Sequence, residues 1–355
     1  MTKMQFTPVD LRNAPDRELE AIAVQANRMR AERLPDDPPI PLQEQLQGWR
    51  NMPTFVDVYA WSVCPTGSDD VMAMGYLNIA QTDHNRHIAE FQLSIVPTYR
   101  RQGIARELLA RLLPVARKNE RRLLTTWSSG RVPAGAAFLE HLGAERGIES
   151  HMNQLVIADL DRDLLTRWQE GAAERAPDYH LEWCEGAVPD AEFEPIRRMW
   201  NEVANSMPRG DLERENEEIS ADQMRQREQR MFASGWQRWM LFARNKAWAY
   251  AGYTEMCFHP NRPYLLEQGG TGVIAAHQSR GIGRWLKAAM LERVMQEMPV
   301  ARFIRANNAD TNAPMLAINR ALGFAPFSSH TAWQIETERV SAYLEGAAYL
   351  EGAVS

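Results

Sequence analysis

The chain has 355 residues, which is enough for two domains of ordinary size, each with its own core. Its 40 basic and 46 acidic residues give a net charge of −6, and no Lys/Arg cluster is interleaved with aromatic residues. Because a nucleic-acid surface needs such a cluster, nucleic acid is not expected as a partner.

The cysteines and the apolar segments indicate the compartment. Cys64, Cys184 and Cys257 are far apart and lack Cys-x-x-Cys spacing, so neither a disulfide framework nor a metal site is expected. The first twelve residues are polar, and no apolar run is long enough to span a bilayer. These features predict a soluble cytoplasmic protein without membrane association.

The first half of the chain alternates strand and helix patterns. A short strand is predicted at the N-terminus, then a helix from Asp16 to Arg30 with apolar residues at helical spacing, which a group of prolines ends. Three further strands are predicted from the alternation of apolar and polar residues, at Val56 to Val63, Met72 to Ile79 and His87 to Val96.

A glycine-containing loop follows these strands and opens an amphipathic helix. The loop consists of Arg100, Arg101, Gln102, Gly103, Ile104 and Ala105. Pro114 lies late in the helix and is predicted to end it early or to kink it. After a short strand from Leu123 to Trp127, a closing helix ends at Leu142 and Gly143.

The joint between the halves is expected between residues 145 and 190. Leu155 to Leu160 is predicted to complete the first sheet, residues 161–177 to form a linker helix, and Tyr179 to Cys184 to begin the second sheet. A polar insert follows, and its stretch from Asp211 to Glu218 is strongly acidic. That stretch is typical of a solvated helical face, or alternatively of a lid that attracts a cationic amine.

The second half contains another loop of the same kind between an apolar, glycine-interrupted strand and an amphipathic helix. It consists of Gln278, Ser279, Arg280, Gly281, Ile282 and Gly283. Glycines let a ligand approach the backbone, and the first N–H groups of a helix have no internal partner, so the loop can bind an anion such as a pyrophosphate. Arg280 and Arg284 would add positive charge. The alternative is a glycine turn needed only for packing.

The two loops belong to a repeat. Both fit the pattern Gln/Arg-x-x-Gly-x-Gly/Ala, and each is followed by a short strand and a helix that ends in Leu-Gly. Gly143 follows Gly103 at nearly the same distance as Gly323 follows Gly281. Because such spacing is hard to obtain by chance, two copies of one α/β domain are predicted.

The second copy closes with Asn312-x-x-Met315-x-x-Ile318-Asn319-x-x-Leu322-Gly323-Phe324. Together with the loop, this pattern resembles the acetyl-CoA-binding core of the GCN5-related N-acetyltransferases (GNAT), present here in tandem. The resemblance implies a mixed α/β sheet (α+β) whose fourth and fifth strands splay around the pantetheine arm of acetyl-CoA. The expected domains are residues 1–160 and 178–340, with a tail at 341–355 that contains a short duplication.

The resemblance also implies which residues bind acetyl-CoA, without a metal. In the second domain they are Val273, the loop residues Gln278 to Arg284, Asn312 and Asn319. The first loop, Arg100 to Ala105, is the corresponding site in the first domain. The closing helix there lacks counterparts of the two asparagines, so catalysis is expected in the second domain. Asn312 could instead serve only as a helix cap.

Acetyl transfer to an amine requires a proton acceptor. Glu267 on the strand before the second loop is the candidate base, with Glu255 next, although Glu267 could also be a surface carboxylate. Many family members carry a Tyr as general acid where this chain has Asn319 and Leu139, so Tyr253, His330 or a water would have to substitute.

The sequence therefore predicts an acetyl-CoA-dependent N-acetyltransferase that acts on a primary amine of a small-molecule acceptor, as a monomer or homodimer. The alternative is a non-catalytic acyl-CoA-binding sensor, which the missing Tyr favours. The joint presence of Gln278, Gly281, Gly283, Asn312 and Asn319 favours the enzyme.

Overall fold

The computed structural model describes residues Lys3–Gly352. The end of the duplicated tail, residues 353–355, lies outside the described residues. No helix in the described part of the chain is long and apolar enough to cross a membrane. The strands are β1 (Met4–Val9), β2 (Val56–Pro65), β3 (Ala73–Ala80), β4 (Ile88–Ile95), β5 (Leu123–Ser129), β6 (Glu145–Val156), β7 (Tyr179–Glu185), β8 (Gln237–Asn245), β9 (Tyr250–Phe258), β10 (Leu265–Val273), β11 (Phe303–Ala309) and β12 (Ala325–Glu336).

Ten α-helices accompany these strands in the described residues. They are α1 (Asp16–Arg33), α2 (Leu42–Arg50), α3 (Ile104–Lys118), α4 (Pro133–Leu142), α5 (Arg162–Arg175), α6 (Asp190–Asn205), α7 (Ala221–Ala233), α8 (Ile282–Glu297), α9 (Ala313–Ala321) and α10 (Thr337–Gly352).

The chain divides into two compact units. Unit 1 contains the residues up to Glu149, the short segment Arg209–Glu215 and the residues from His330 on. Unit 2 contains Ser150–Pro208 and Asn216–Ser329.

Both units are built on a mixed sheet of the predicted kind. In unit 1 the strand order is β1-β2-β3-β4-β5-β12, and in unit 2 it is β7-β8-β9-β10-β11-β6. In each sheet the strand before the glycine loop runs parallel to the strand after the helix, while the other pairs are antiparallel. The α/β fold class predicted from the sequence is confirmed.

The last strand of each sheet differs from the prediction. Leu155 does not complete the first sheet, because β6 pairs with β11 from Ser150 to Val156 in unit 2. Unit 1 is instead completed by β12, whose residues His330 to Glu336 pair with β5. The alternating pattern of a strand fixes which face is buried but not which partner it takes, so sequence pattern alone could not separate β6 from β12.

Two predictions about helices differ from the structure. Pro114 does not end α3 early, because the helix continues to Lys118; Leu112, Leu113 and Ala116 around the proline are buried in the core and outweigh its poor helix propensity. A kink at Pro114 stays a prediction. The acidic insert from Asp211 to Glu218 contains no helix.

The acidic insert is held by hydrogen bonds and ion pairs in both units. In unit 1, Glu213 pairs with Arg122. In unit 2, Glu218 pairs with Arg197, and the side-chain amide of Asn205 makes two hydrogen bonds with the backbone of Glu217. Two of its carboxylates, those of Glu213 and Glu218, are therefore already paired with arginines.

Candidate functional site

The two glycine loops have the same backbone geometry. Gly281 has φ +81° and precedes α8, and Gly103 has φ +80° and precedes α3. Two residues earlier, Ser279 and Arg101 also adopt positive φ, at +63° and +61°. Gly323 and Gly143, with φ +92° and +82°, end the corresponding closing segments. The predicted repeat is confirmed at all four glycines.

Each loop leaves backbone donors open at the start of its helix. The first hydrogen bond within α8 is donated by Trp285 N to Gly281 O, and that in α3 by Glu107 N to Gly103 O. Neither helix has a side-chain cap at its N-terminus. The N–H groups of Ile282, Gly283 and Arg284 in the second loop, and of Ile104 and Ala105 in the first, are therefore available to an anion at the positive end of the helix dipole.

The polar side chains of the loops brace the backbone rather than extend toward an anion. Gln278 Nε2 donates to Val273 O at 2.9 Å, and at the equivalent place Arg100 Nε donates to Ile95 O at 3.0 Å. Arg280 donates to Ala276 O at 2.9 Å, as Gln102 does to Thr98 O at 3.2 Å. Either residue type can make these contacts, which explains why the loop motif tolerates both.

The fork is the place in unit 2 where β10 and β11 separate. The two strands pair from Leu265–Phe303 only as far as Gln268–Ala306. Beyond that point β10 continues along β9 to Val273, and β11 continues along β6 to Ala309. Their facing edges lose each other as partners, so an extended ligand with amide groups can lie between them. Unit 1 has a similar fork, where β4 and β5 pair only from Ile88 to Glu90.

A β-bulge lies at the start of the fork in unit 2. Gln268 pairs with Met256 and Thr271 with Thr254, which leaves Gly269 and Gly270 opposite Glu255. A Cβ on Gly269 would lie 2.2 Å from Glu255 Oε2, and one on Gly270 would lie 2.2 Å from the Tyr253 hydroxyl. Glycine is needed at both positions because the Glu255 and Tyr253 side chains fill the space that a Cβ would take.

Comparison with known proteins supports a tandem GNAT fold. The profile described as the Acetyltransferase (GNAT) family matches residues 23–144. A solved tandem GNAT protein from the clavulanic acid biosynthesis pathway matches with 25% identity and a TM-score of 0.75, over 94% of this chain and 99% of that chain. The chain is a tandem member of the GNAT superfamily.

A second solved structure matches the whole chain in fold. It is a GCN5-related N-acetyltransferase from Sphaerobacter thermophilus, with 14% identity and a TM-score of 0.63 over 94% of this chain and 96% of that chain. A search of curated protein sequences finds no match. GNAT proteins carry out acyl transfer, and the family generally takes the acyl group from acetyl-CoA.

Glu255 is the carboxylate that this GNAT chain places at the bulge. Its side chain is almost fully buried, and burial raises the pKa of the carboxyl group. Arg238 Nη1 lies 3.5 Å from Glu255 Oε1, and the Gly270 N–H donates to the carboxylate; both lower the pKa and partly offset the burial. Arg238 also pairs with the buried Glu228, so its charge is shared between two carboxylates.

Tyr253 lies beside Glu255 on the same face of β9. Its side chain is buried, and the ring meets Trp200 edge to face with centroids 5.9 Å apart. Burial, and then the negative charge of Glu255, raise the pKa of the Tyr253 phenol. The hydroxyl therefore stays protonated near neutral pH and can act as a proton donor.

Glu267 lies on β10 just before the bulge and is exposed to solvent. It is opposite Cys257 on β9 and Arg305 on β11. Its surroundings lack the burial that distinguishes Glu255. His330 belongs to unit 1, where it pairs with Ser129.

The two asparagines of the closing segment have internal roles. Asn312 is the N-cap of α9, and its Oδ1 accepts a hydrogen bond from Met315 N at 3.4 Å. Asn319 is 1% exposed; its Oδ1 accepts from Lys287 Nζ at 2.8 Å and its Nδ2 donates to Asn308 Oδ1 at 2.7 Å. Asn319 is thus buried and hydrogen-bonded on both sides of its amide, and its expected contact with the pantetheine arm stays a prediction.

Sequence reasoning missed several residues at these sites. Arg175, at the end of α5, lies over the second loop, where a Cβ on Gly281 would be 3.3 Å from Arg175 Nε. Trp168 of the same helix was also missed; its ring lies under the guanidinium of Arg284, a residue that the sequence did identify. In unit 1, Glu32 of α1 holds Arg100 in a bidentate pair. No motif marks residues that arrive from distant helices, so only the fold shows that Arg100 of the first loop is paired with a carboxylate and that the second loop gains a cation.

Proposed function

We propose that unit 2 transfers the acetyl group of acetyl-CoA to a primary amine of a small-molecule acceptor. The observation that carries the proposal is the bulge at Gly269 and Gly270, which brings the buried carboxylate of Glu255 to the start of the fork. The second glycine loop follows the fork a few residues later in the chain. Cofactor loop, fork and titratable groups thus lie within one unit.

The backbone would hold the cofactor in this proposal. The N–H groups of Ile282, Gly283 and Arg284 would bind the pyrophosphate, with Arg175 and Arg284 supplying positive charge beside it. The gap between β10 and β11 would hold the pantetheine arm. Val273, whose carbonyl is bonded to Gln278, forms the end of the strand beside that arm.

The side chains at the bulge would move protons. An amine must lose its proton to attack a thioester, and Glu255 would accept that proton directly or through one water. The Tyr253 hydroxyl would donate a proton to the departing CoA thiolate. Glu267, the base favoured by sequence position, is the second candidate. It lies on β10 just before the bulge, but its side chain is exposed to solvent.

The reaction can be tested before the natural acceptor is known. The purified chain is incubated with acetyl-CoA and a panel of primary amines, and release of free CoA thiol is followed. We expect amine-dependent thiol release that is lost in Glu255→Gln. Binding of acetyl-CoA without thiol release from any amine would instead support the acyl-CoA sensor, which the presence of Asn319 in place of a tyrosine favours.

A further inference from the structure

Lys287 is a buried amine that the proposed reaction does not use. It lies on α8 in unit 2, its side chain is 1% exposed, and no ion pair to it is found among residues 3–352. A buried charge without a carboxylate partner is costly for folding. The Nζ is instead bonded to two amide oxygens, Asn319 Oδ1 at 2.8 Å and Gln268 Oε1 at 3.5 Å.

The bonds from Lys287 give a chain of amides a fixed direction. Lysine Nζ carries N–H donors in both its charged and its neutral form, and both of its bonds here go to amide oxygens, so it holds Asn319 with Oδ1 toward the lysine and Nδ2 away from it. Asn319 Nδ2 then donates to Asn308 Oδ1 at 2.7 Å, and Asn153 Nδ2 donates to the same oxygen at 3.4 Å. Since the carbonyl oxygen of Asn308 receives both donors, its amide nitrogen is turned the other way.

This series of hydrogen-bonded amides ends at the fork. Asn308 lies on β11 two residues after Ala306, the last residue that pairs with β10. It is half-buried, and no hydrogen bond donated by its amide nitrogen is found in the described part of the chain. Gln268, the last paired residue of β10, is the other acceptor of Lys287, and its Nε2 donates to Thr254 Oγ1 at 3.0 Å. Lys287 thus orients one amide on each arm of the fork.

We infer that Asn308 is a further acyl-CoA-binding residue, whose amide N–H group donates to a carbonyl of the pantetheine arm, and that Lys287 positions it through Asn319. The inference rests on the proposed function. The pantetheine arm contains two secondary amides with carbonyl acceptors, and at this point β11 has lost β10 as its neighbour. A donor held in one orientation is what such an arm requires.

Unit 1 lacks the lysine and asparagine of this series of hydrogen-bonded amides. The residues at the same distances from its glycines are Leu109, six after Gly103, and Leu139, four before Gly143. Both leucines are buried in one apolar cluster. Polar side chains at the positions of Lys287 and Asn319 are therefore not required by the fold, which supports a role for them in binding.

The test replaces the donor while keeping the internal bonds. In Asn308→Asp the carboxylate still accepts from Asn319 and Asn153 but cannot donate. We expect acetyl-CoA to bind about tenfold more weakly, while adenosine 3′,5′-bisphosphate, which has no pantetheine arm, binds as before. The affinities are measured by calorimetry. Binding at the loop of unit 2 is identified as the binding that is lost in Gly281→Val. Asn307→Asp, at the exposed neighbour on β11, adds the same charge as a matched control and should leave both affinities unchanged.

Lys287→Met provides a second test of the same chain. It should weaken acetyl-CoA about as much as Asn308→Asp does and leave the bisphosphate unaffected. Unchanged acetyl-CoA affinity in both variants, equal loss for both ligands, or equal loss in Asn307→Asp would each overturn the inference while the proposed function stands. Failure of the unaltered chain to bind acetyl-CoA would overturn both.

Discussion

Units 1 and 2 share the backbone of a cofactor loop and differ at the fork. Gly103 and Gly281 have the same conformation, and the same main-chain carbonyls are braced in both loops. In unit 1, however, β4 pairs with β3 without a register shift from Glu90 to Ile95. Leu109 and Leu139, at the positions of Lys287 and Asn319, belong there to an apolar cluster. In unit 2 a two-glycine bulge and buried polar groups stand at the same place.

On the proposed function, the difference between the units separates anion binding from proton transfer. The loop works through backbone N–H groups, so it persists when its side chains change. Proton transfer would need a buried carboxylate, which Glu255 supplies at the bulge of unit 2. The GNAT family profile matches residues 23–144, which lie in unit 1.

The largest expected effect tests the chemistry of unit 2. Glu255→Gln should lower single-turnover acetyl transfer by about 100-fold or more, the usual contribution of a general base, whereas Glu267→Gln should stay within about threefold. Because burial raises the pKa of Glu255 and only the carboxylate accepts a proton, the rate should rise with pH through that raised pKa. If Glu267→Gln causes the larger loss, the assignment is reversed.

The next effect separates the two loops. Gly281→Val forces a branched side chain into a left-handed conformation, and acetyl-CoA should bind at least tenfold more weakly with loss of turnover. Gly281→Asn is the matched control, since Asn tolerates this conformation. Gly103→Val should leave turnover unchanged. Equal loss of turnover from both valine variants would show that unit 1 takes part in catalysis.

The sequence predicted what depends on local pattern. The glycine loops, the repeat and the strands before each fork follow from residue type and spacing, and the glycines at 281 and 103 have the predicted place. The partner of β6, the choice of Glu255 over Glu267 and the position of Arg175 depend on contacts between distant residues. The Gly269-Gly270 pair was visible in the sequence as a weak strand, but its meaning required knowing that Glu255 lies opposite.

A third prediction concerns a variant in which Lys287 and Asn319 are replaced by the leucines that unit 1 has at these positions. Burial lowers the pKa of Lys287 to about 7, against about 10.4 in an unfolded chain. Between these values the unfolded state binds more protons, so the unfolding free energy should rise with pH, by about 2 kcal/mol from pH 7.5 to 9. Urea unfolding of Lys287→Leu/Asn319→Leu should lack this rise relative to the unaltered chain. An identical pH dependence would mean that Lys287 stays charged in the fold.

The smallest expected effect concerns Asn312. As an N-cap it should contribute about 1 kcal/mol to stability, so Asn312→Ala should lower the unfolding free energy by that amount. Its acetyl-CoA affinity should not change, in contrast to Asn308→Asp. Calorimetry that finds weaker binding in a stably folded Asn312→Ala would give this residue the ligand contact first expected from the sequence.

The most direct test of the central claim is a crystal structure of the full chain with acetyl-CoA. We predict density for the pyrophosphate at the N–H groups of Ile282 to Arg284, and for the thioester between β10 and β11 next to Gly269 and Gly270. Acetyl-CoA bound only at the Gly103 loop, with the fork of unit 2 free of ligand, would contradict the assignment of catalysis to unit 2.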